Sequence, residues 1–172
     1  MRKILLLSDT HGYLDERIIE RASQTDEVWH AGDIGTPEIL DKLRKVKLTR
    51  AVYGNIDGHE LRLMCPEHLA FNCEGMKVMM IHIAGAFGKY TPQTKALIEQ
   101  HKPNLLICGH SHILVVKKDN RTGHFHINPG AAGKSGFHSV RTVVQFSIDR
   151  GSLRDMEVVE LGPRSGSTKP VG

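Results

Sequence analysis

The chain has 172 residues, 40% of them hydrophobic and 24% charged, with a formal net charge of +4 and a pI near 9.0. That length builds one self-supporting core without disulfide staples. No apolar run approaches the ~20 residues that span a bilayer, and the N-terminus reads straight into a strand rather than a signal peptide, so a cytoplasmic protein without a membrane partner is expected. Basic residues are dispersed, which suits an anionic small substrate or nucleic acid and proves neither. Three cysteines (Cys65, Cys73, Cys108) make no Cys-x-x-Cys pair. Cys73 and Cys108 lie in apolar runs and read as buried, inert thiols.

In chain order, Ile4 to Leu7 is an apolar run that reads as a short buried strand, ending abruptly in Asp9-x-His11. Leu14, Ile18, Ile19 and Ala22 recur at helical spacing. Asp26 to Ala31 reads as a second strand that runs into Gly32-Asp33. Thr36-Pro37-Glu38 combines a hydroxyl cap, proline at the first helical position and an early acid, and Ile39, Leu40 and Leu43 give the helix a buried face. A third strand, about 49–53, stops at Gly54-Asn55. Strand alternating with helix predicts parallel pairing with helical crossovers.

The second half reads differently. Residues 69–73 and 77–82 bracket Glu74-Gly75 as a hairpin, and a glycine-rich loop follows His82. Thr91-Pro92 caps a helix to about His101. Residues 104–108 form a strand ending in Gly109-His110-Ser111-His112. A hairpin is expected over 113–118 and 124–128, a tight loop over 128–133, and a terminal antiparallel pair over 142–148 and 153–161. The expected fold class is therefore α/β: two mixed β-sheets packed as a sandwich flanked by helices, in one domain over residues 1–161. Residues 162–172, with three glycines, two prolines and two serines, read as a disordered tail.

Ligand sites in such folds lie beyond the carboxyl ends of strands, and every candidate falls there. Taken singly, Asp9-x-His11, Gly32-Asp33, Gly54-Asn55 and Gly109-His110-x-His112 are weak signals, each at home in an ordinary turn or cap. In this order, with His82 between the third and the last, they are highly specific. The sequence resembles the calcineurin-like metallophosphoesterases, in particular the small phosphodiesterase branch that includes the YfcE-type bacterial proteins, over Ile4 to Leu161.

The resemblance implies two adjacent divalent metals, Mn²⁺ first, with Ni²⁺, Fe or Zn²⁺ as alternatives. Asp9, His11 and His112 would hold one; Asn55, His82 and His110 the other; Asp33 would bridge. It also implies a hydroxide held between the metals that attacks the phosphorus of a small phosphate ester, most simply a diester, with Asn55 counted among the catalytic groups. Carboxylate, imidazole and amide donors suit such borderline-hard ions. One departure concerns the third motif. Many larger members read Gly-Asn-His there, with a histidine that protonates the leaving oxygen, whereas this chain has Ile56, which cannot donate a proton. The family's usual His-Gly is here His82-Ile83, so no substrate role is carried onto Ile83.

The remaining histidines (His30, His59, His68, His101, His124, His126, His138) have no motif partner and read as exposed or locally satisfied, with His59, four residues after Asn55, the one to watch. Lys89, Lys134 and Arg141 are candidate phosphate contacts by charge alone. A protein-assembly scaffold of the same fold, as in a retromer subunit, is the alternative function. A nuclease is disfavoured because the chain is only 5% aromatic with one tryptophan, too few for stacking bases. The sequence leaves a homo-oligomer open.

Overall fold

A computed structural model describes residues 1–165. Its strands are β1 (Arg2–Leu7), β2 (Glu27–His30), β3 (Leu48–Ala51), β4 (His68–Cys73), β5 (Met76–Ile81), β6 (Gly85–Ala86), β7 (Lys89–Tyr90), β8 (Leu105–Ile107), β9 (Leu114–Lys118), β10 (Phe125–Pro129), β11 (Val140–Asp149) and β12 (Ser152–Pro163). The helices are α1 (Glu16–Ser23), α2 (Pro37–Val46), α3 (His59–Met64) and α4 (Pro92–His101). One five-stranded sheet has the order β12-β11-β1-β2-β3 and the other β4-β5-β8-β10-β9. Both are mixed: β1, β2 and β3 run parallel, as do β5, β8 and β10, with antiparallel strands outside them. This is the sandwich expected from the alternation of elements.

The layering follows from side-chain alternation along strands buried on both faces. Ile4 and Leu6 of β1 point between the sheets, where they meet Trp29, Val78, Met80, Leu105, Ile107 and Ile127. Leu5 and Leu7 point the other way, onto Ile18, Leu40, Leu43 and Leu61 of the helices. On the far side of the second sheet, Met79, Ile81 and Leu106 pack on Leu97 of α4. All of β1 from Ile4 to Leu7 is fully buried, so its carboxyl end is held between two packed layers.

Most element boundaries match the sequence reading. The helix starts at Thr36-Pro37 and Thr91-Pro92 are in place; Thr91 caps α4 by accepting from the Thr94 amide at 3.1 Å, whereas the expected Thr36 hydroxyl makes no cap bond to α2. Glu74 and Gly75 both take positive φ, +49° and +83°, as a tight two-residue hairpin turn requires. Three differences stand out. Helix α3 has no counterpart in the expected elements. A two-stranded ribbon, β6-β7, forms in the loop after His82. Strand β12 continues to Pro163, two residues past the expected domain end at 161; residues 166–172 of the expected tail lie outside the described residues. Among the described residues no helix is long and apolar enough to cross a membrane.

Candidate metal centre

The seven candidate donors follow five parallel strands drawn from both sheets. Asp9 and His11 follow β1, Asp33 follows β2, Asn55 follows β3, His82 follows β5, and His110 and His112 follow β8. Each strand ends on a buried residue (Leu7, His30, Ala51, Ile81, Ile107) and the chain turns within a few residues. The turning is visible in the backbone: Asp9, His11, Asp33, His110 and His112 all take positive φ, between 46° and 71°. Such left-handed conformations cost a non-glycine residue about 1–3 kcal/mol and cluster where packing forces a functional geometry.

Two of the motif glycines are there for room. A Cβ on Gly54 would lie 2.1 Å from Asp33 Oδ1, and one on Gly109 would lie 2.1 Å from Ser8 Oγ and 2.7 Å from Asp9 Oδ2. Without side chains at these positions, the loops after β3 and β8 close onto the carboxylates delivered by β2 and β1.

Two groups of side chains result, each with donor atoms close enough to share one ion: Asp9, His11 and His112, and Asp33, His82 and His110. In the first, His112 Nε2 lies 3.0 Å and His11 Nε2 3.7 Å from Asp9 Oδ1. In the second, His82 Nε2 lies 3.2 Å from Asp33 Oδ2. The groups adjoin, because the same Asp33 Oδ2 is 3.5 Å from His11 Nε2. Asn55 joins the second group, its Oδ1 lying 3.1 Å from His82 Nε2 and 3.0 Å from His110 Nδ1. All seven positions singled out from the sequence therefore meet in one place. His59 does not; it opens α3 and is exposed.

Two atoms test whether the residues fit metal ions. Asp9 Oδ1 and His11 Nε2 are buried and have no hydrogen-bond partner, a costly state for a carboxylate oxygen and an imidazole nitrogen. Both point into the cluster, and cations would satisfy both. The donor set suits divalent ions of the Mn, Fe or Zn type. Burial opposes charge on Asp9, yet the neighbouring imidazoles, His11 foremost, hold its carboxyl well below the usual carboxylate range. Burial likewise opposes charge on Asp33, and His82 outweighs it. On the imidazole side, His11 is raised by Asp9; His82 is raised by Asp33 and Asp9 against the opposing effect of burial. The carboxylates stay ionised and available.

Several supporting residues escape sequence reasoning. Asp57 is buried and accepts from the amides of Ile34 (3.1 Å), Gly35 (2.9 Å) and Gly54 (2.8 Å), tying the Asp33 loop to the Asn55 loop. His30 is fully buried between Thr10 and the Gly32 amide. Because the Thr10 hydroxyl donates to Ile34 O at 2.8 Å, His30 Nε2–H must donate to Thr10 while Nδ1 accepts from Gly32. Burial lowers this imidazole to about 4.

His124 is buried and satisfied locally by Tyr90 and Thr122, as expected, whereas His126 is buried with its Nδ1 unpartnered. Arg141, expected as a candidate phosphate contact, is instead a structural cation: it is buried, pairs with Asp15 at 3.0 Å and donates to Leu161 O and Pro163 O. Lys134 lies over the Tyr13 ring at 4.1 Å. All three thiols are buried, and burial pushes Cys108 up to about 12. Beside the second group opens a cavity of about 350 Å³, lined by Asn55, His82, Ile83, Tyr53, Arg62 and Gln93 among others.

A two-sheet α/β sandwich thus carries at its strand ends a carboxylate and imidazole cluster that could hold metal ions. The sequence model of the calcineurin-like phosphoesterase superfamily domain matches residues 2–151. A probable metallophosphoesterase of Mycoplasma pneumoniae is 34% identical over 170 residues, covering 91% of this chain and 96% of that protein. The chain belongs to the calcineurin-like phosphoesterase superfamily.

Among solved structures, an archaeal phosphodiesterase shares the fold at a TM-score of 0.72 and 21% identity, covering 91% of this chain and 99% of its own. Vps29 of Entamoeba histolytica in complex with zinc matches at a TM-score of 0.71 and 20% identity, covering 92% and 98%.

Proposed function

We propose that this phosphoesterase is a metal-dependent phosphodiesterase that hydrolyses a small organophosphate at the Asp9–Asp33–His82 cluster. The observation that carries the reading is the pair of buried, partnerless atoms, Asp9 Oδ1 and His11 Nε2, aimed into a ring of donors from five strands. Asp9, His11 and His112 would hold one ion, Asn55, His82 and His110 a second, and Asp33, within 3.5 Å of both His11 and His82, would serve both. When bound, two such ions, Mn²⁺ or alternatively Ni²⁺, Fe or Zn²⁺, neutralise phosphoryl charge and lower the pKa of water to near neutrality.

The chain's own residues supply the positioning. The donor atoms sit on the rigid ends of buried strands, so little reorganisation is needed when charge develops. His82 Nδ1 lies 2.7 Å from Ala31 O. A carbonyl only accepts, so Nδ1 carries a proton, and in the neutral ring Nε2 presents its lone pair to the site. Asn55 offers its carbonyl oxygen between two imidazoles. Ile56, next to it, is 47% exposed and has no proton to give, so the leaving oxygen departs without an acid from this position. The cavity bordered by Asn55 and His82 gives an ester substituent a place beside the second group.

The alternative, a protein-assembly role, draws on the likeness to Vps29. One such structure holds zinc, so fold and metal together do not separate the two readings; catalysis does. The test is hydrolysis of bis-p-nitrophenyl phosphate in added Mn²⁺. Wild-type protein is expected to turn over, and Asp33→Ala to lose nearly all activity. Wild-type activity no higher than that of Asp33→Ala would defeat the enzyme reading.

A further inference from the structure

His138 carries no motif and lies on the irregular segment between β10 and β11, yet its ring reaches the centre. Its Nδ1 is 3.2 Å from Nδ1 of His112, and its Nε2 is 2.8 Å from the carbonyl oxygen of Gly133. The rings meet edge to face, centroids 5.0 Å apart at 75°, much as His11 and His112 meet at 5.4 Å and 72°.

The carbonyl decides where the protons are. Gly133 O has only lone pairs to offer, so His138 Nε2 carries the hydrogen. In the neutral ring, Nδ1 is then an acceptor. The partner facing that acceptor, His112 Nδ1, must donate. In the neutral His112 ring, Nε2 is thereby left unprotonated, 3.0 Å from Asp9 Oδ1. Two lone pairs then face each other with no proton between them, which is an arrangement that asks for a cation. It matches the absence of any hydrogen-bond partner at Asp9 Oδ1.

The relay is anchored at every link. The Gly133 amide donates to Asp9 O at 3.0 Å, and Ala132 N donates to Ser8 O at 2.9 Å, docking this loop on the end of β1. Arg164 Nε donates to His138 O at 2.9 Å. Gly136, at φ +128°, crosses so close that a Cβ would lie 2.2 Å from His112 Nδ1 and 3.2 Å from His138 Nδ1. Both the conformation and the space therefore require glycine. The chain of contacts starts at the Asp9 backbone and returns to the Asp9 carboxylate.

We propose that His138 is a positioning residue that fixes the tautomer of His112, so that Nε2 of His112 is the atom offered to the ion in the Asp9 group. The inference rests on the metal-centre reading above. It gives the two groups different supports: His82 is oriented directly by a backbone carbonyl, whereas His112 is oriented through a second imidazole. Outer partners of ligating histidines typically change metal affinity by about 10–100-fold.

The experiment is Zn²⁺ titration of the full chain, with NMR of the ¹⁵N-histidine-labelled, Zn²⁺-loaded protein. Wild type is expected to bind two ions and to show an exchange-protected proton on His112 Nδ1. His138→Ala should weaken one of the two ions by about 10–100-fold, leave the other unchanged, and lose that protected proton. His138→Asn places an amide oxygen where Nδ1 stood and should restore both signals. Phe137→Ala, which removes an exposed side chain from the same loop, should leave both untouched and controls for the loop fold. Two ions bound by His138→Ala with wild-type affinities, or an unchanged His112 proton, would overturn the proposal while leaving the metal centre standing. A wild-type protein that binds no Zn²⁺ would overturn both.

Discussion

Asp9 Oδ1, at the end of the first strand, lies 3.0 Å from His112 Nε2, yet it is buried and has no hydrogen-bond partner. A carboxylate oxygen so placed among imidazole donors fits a cation. Binding to the folded state alone stabilises it by mass action, about 2.7 kcal/mol when free ion is one hundred times its Kd. Adding Mn²⁺ should raise the Tm by several degrees and EDTA should reverse it. Asp9→Ala should lose most of that response, as read by thermal melts with and without metal.

Asp57 is the buried clip between the Asp33 and Asn55 loops, with three amides pointing at one carboxylate. Removing it leaves those donors unsatisfied, at about 1–3 kcal/mol each if no water replaces it. Asp57→Ala should destabilise the protein by about 3 kcal/mol in urea unfolding and weaken metal binding in the Asn55 group. Asp57→Asn, which keeps one acceptor oxygen, should lose less.

His30 gives the fold a pH dependence of known sign. It is fully buried and neutral, lowered from the ordinary 6.5 to about 4. The unfolded chain takes up its proton near pH 6.5 while the folded chain does not until about pH 4, so this contribution is present above pH 6.5 and is lost as pH falls to 4. The full difference is about 3 kcal/mol. His126, lowered to about 4 by burial, acts in the same window, whereas His11 and His82, both raised, act in the opposite sense. Comparison of metal-free wild type with His30→Asn isolates the effect of this histidine: the variant should lose less stability between pH 6.5 and 4.

Ile56 stands at the third motif, where the family resemblance implies a histidine in many larger members. Its amide donates to Asp33 Oδ1 at 3.0 Å and its side chain is half exposed beside Asn55. General acid catalysis is worth about 10²–10⁴-fold, and its lack at this position should show as a rate that falls steeply as the leaving-group pKa rises. Aryl phosphodiesters of graded leaving-group pKa measure that slope. Ile56→His should flatten it and help the poorest leaving groups most.

The strand ends were legible because β1, β5 and β8 carry short apolar runs (Ile4–Leu7, Val78–Ile81, Leu105–Ile107) and each ligand-bearing strand leads into a glycine or a polar ligand. The order of the ligands along the chain told more than any one of them. What the sequence withheld depends on tertiary contact. Helix α3 is only six residues long, lacks a side-chain cap and buries just Leu61, so neither periodicity nor a start signal marks it. Arg141 looked available by charge, but β12 and Asp15 close around it. His138 became visible only once its loop docked on β1; the nearby Gly133 and Gly136 were the sole trace of that close approach.

The most direct measurement is anomalous diffraction from crystals grown with Mn²⁺. The account predicts two peaks, about 3.5–4 Å apart as in other two-metal hydrolases: one among Asp9, His11 and His112, the other among Asn55, His82 and His110, with Asp33 between them. A single peak, no peak, or metal bound away from these residues would contradict it.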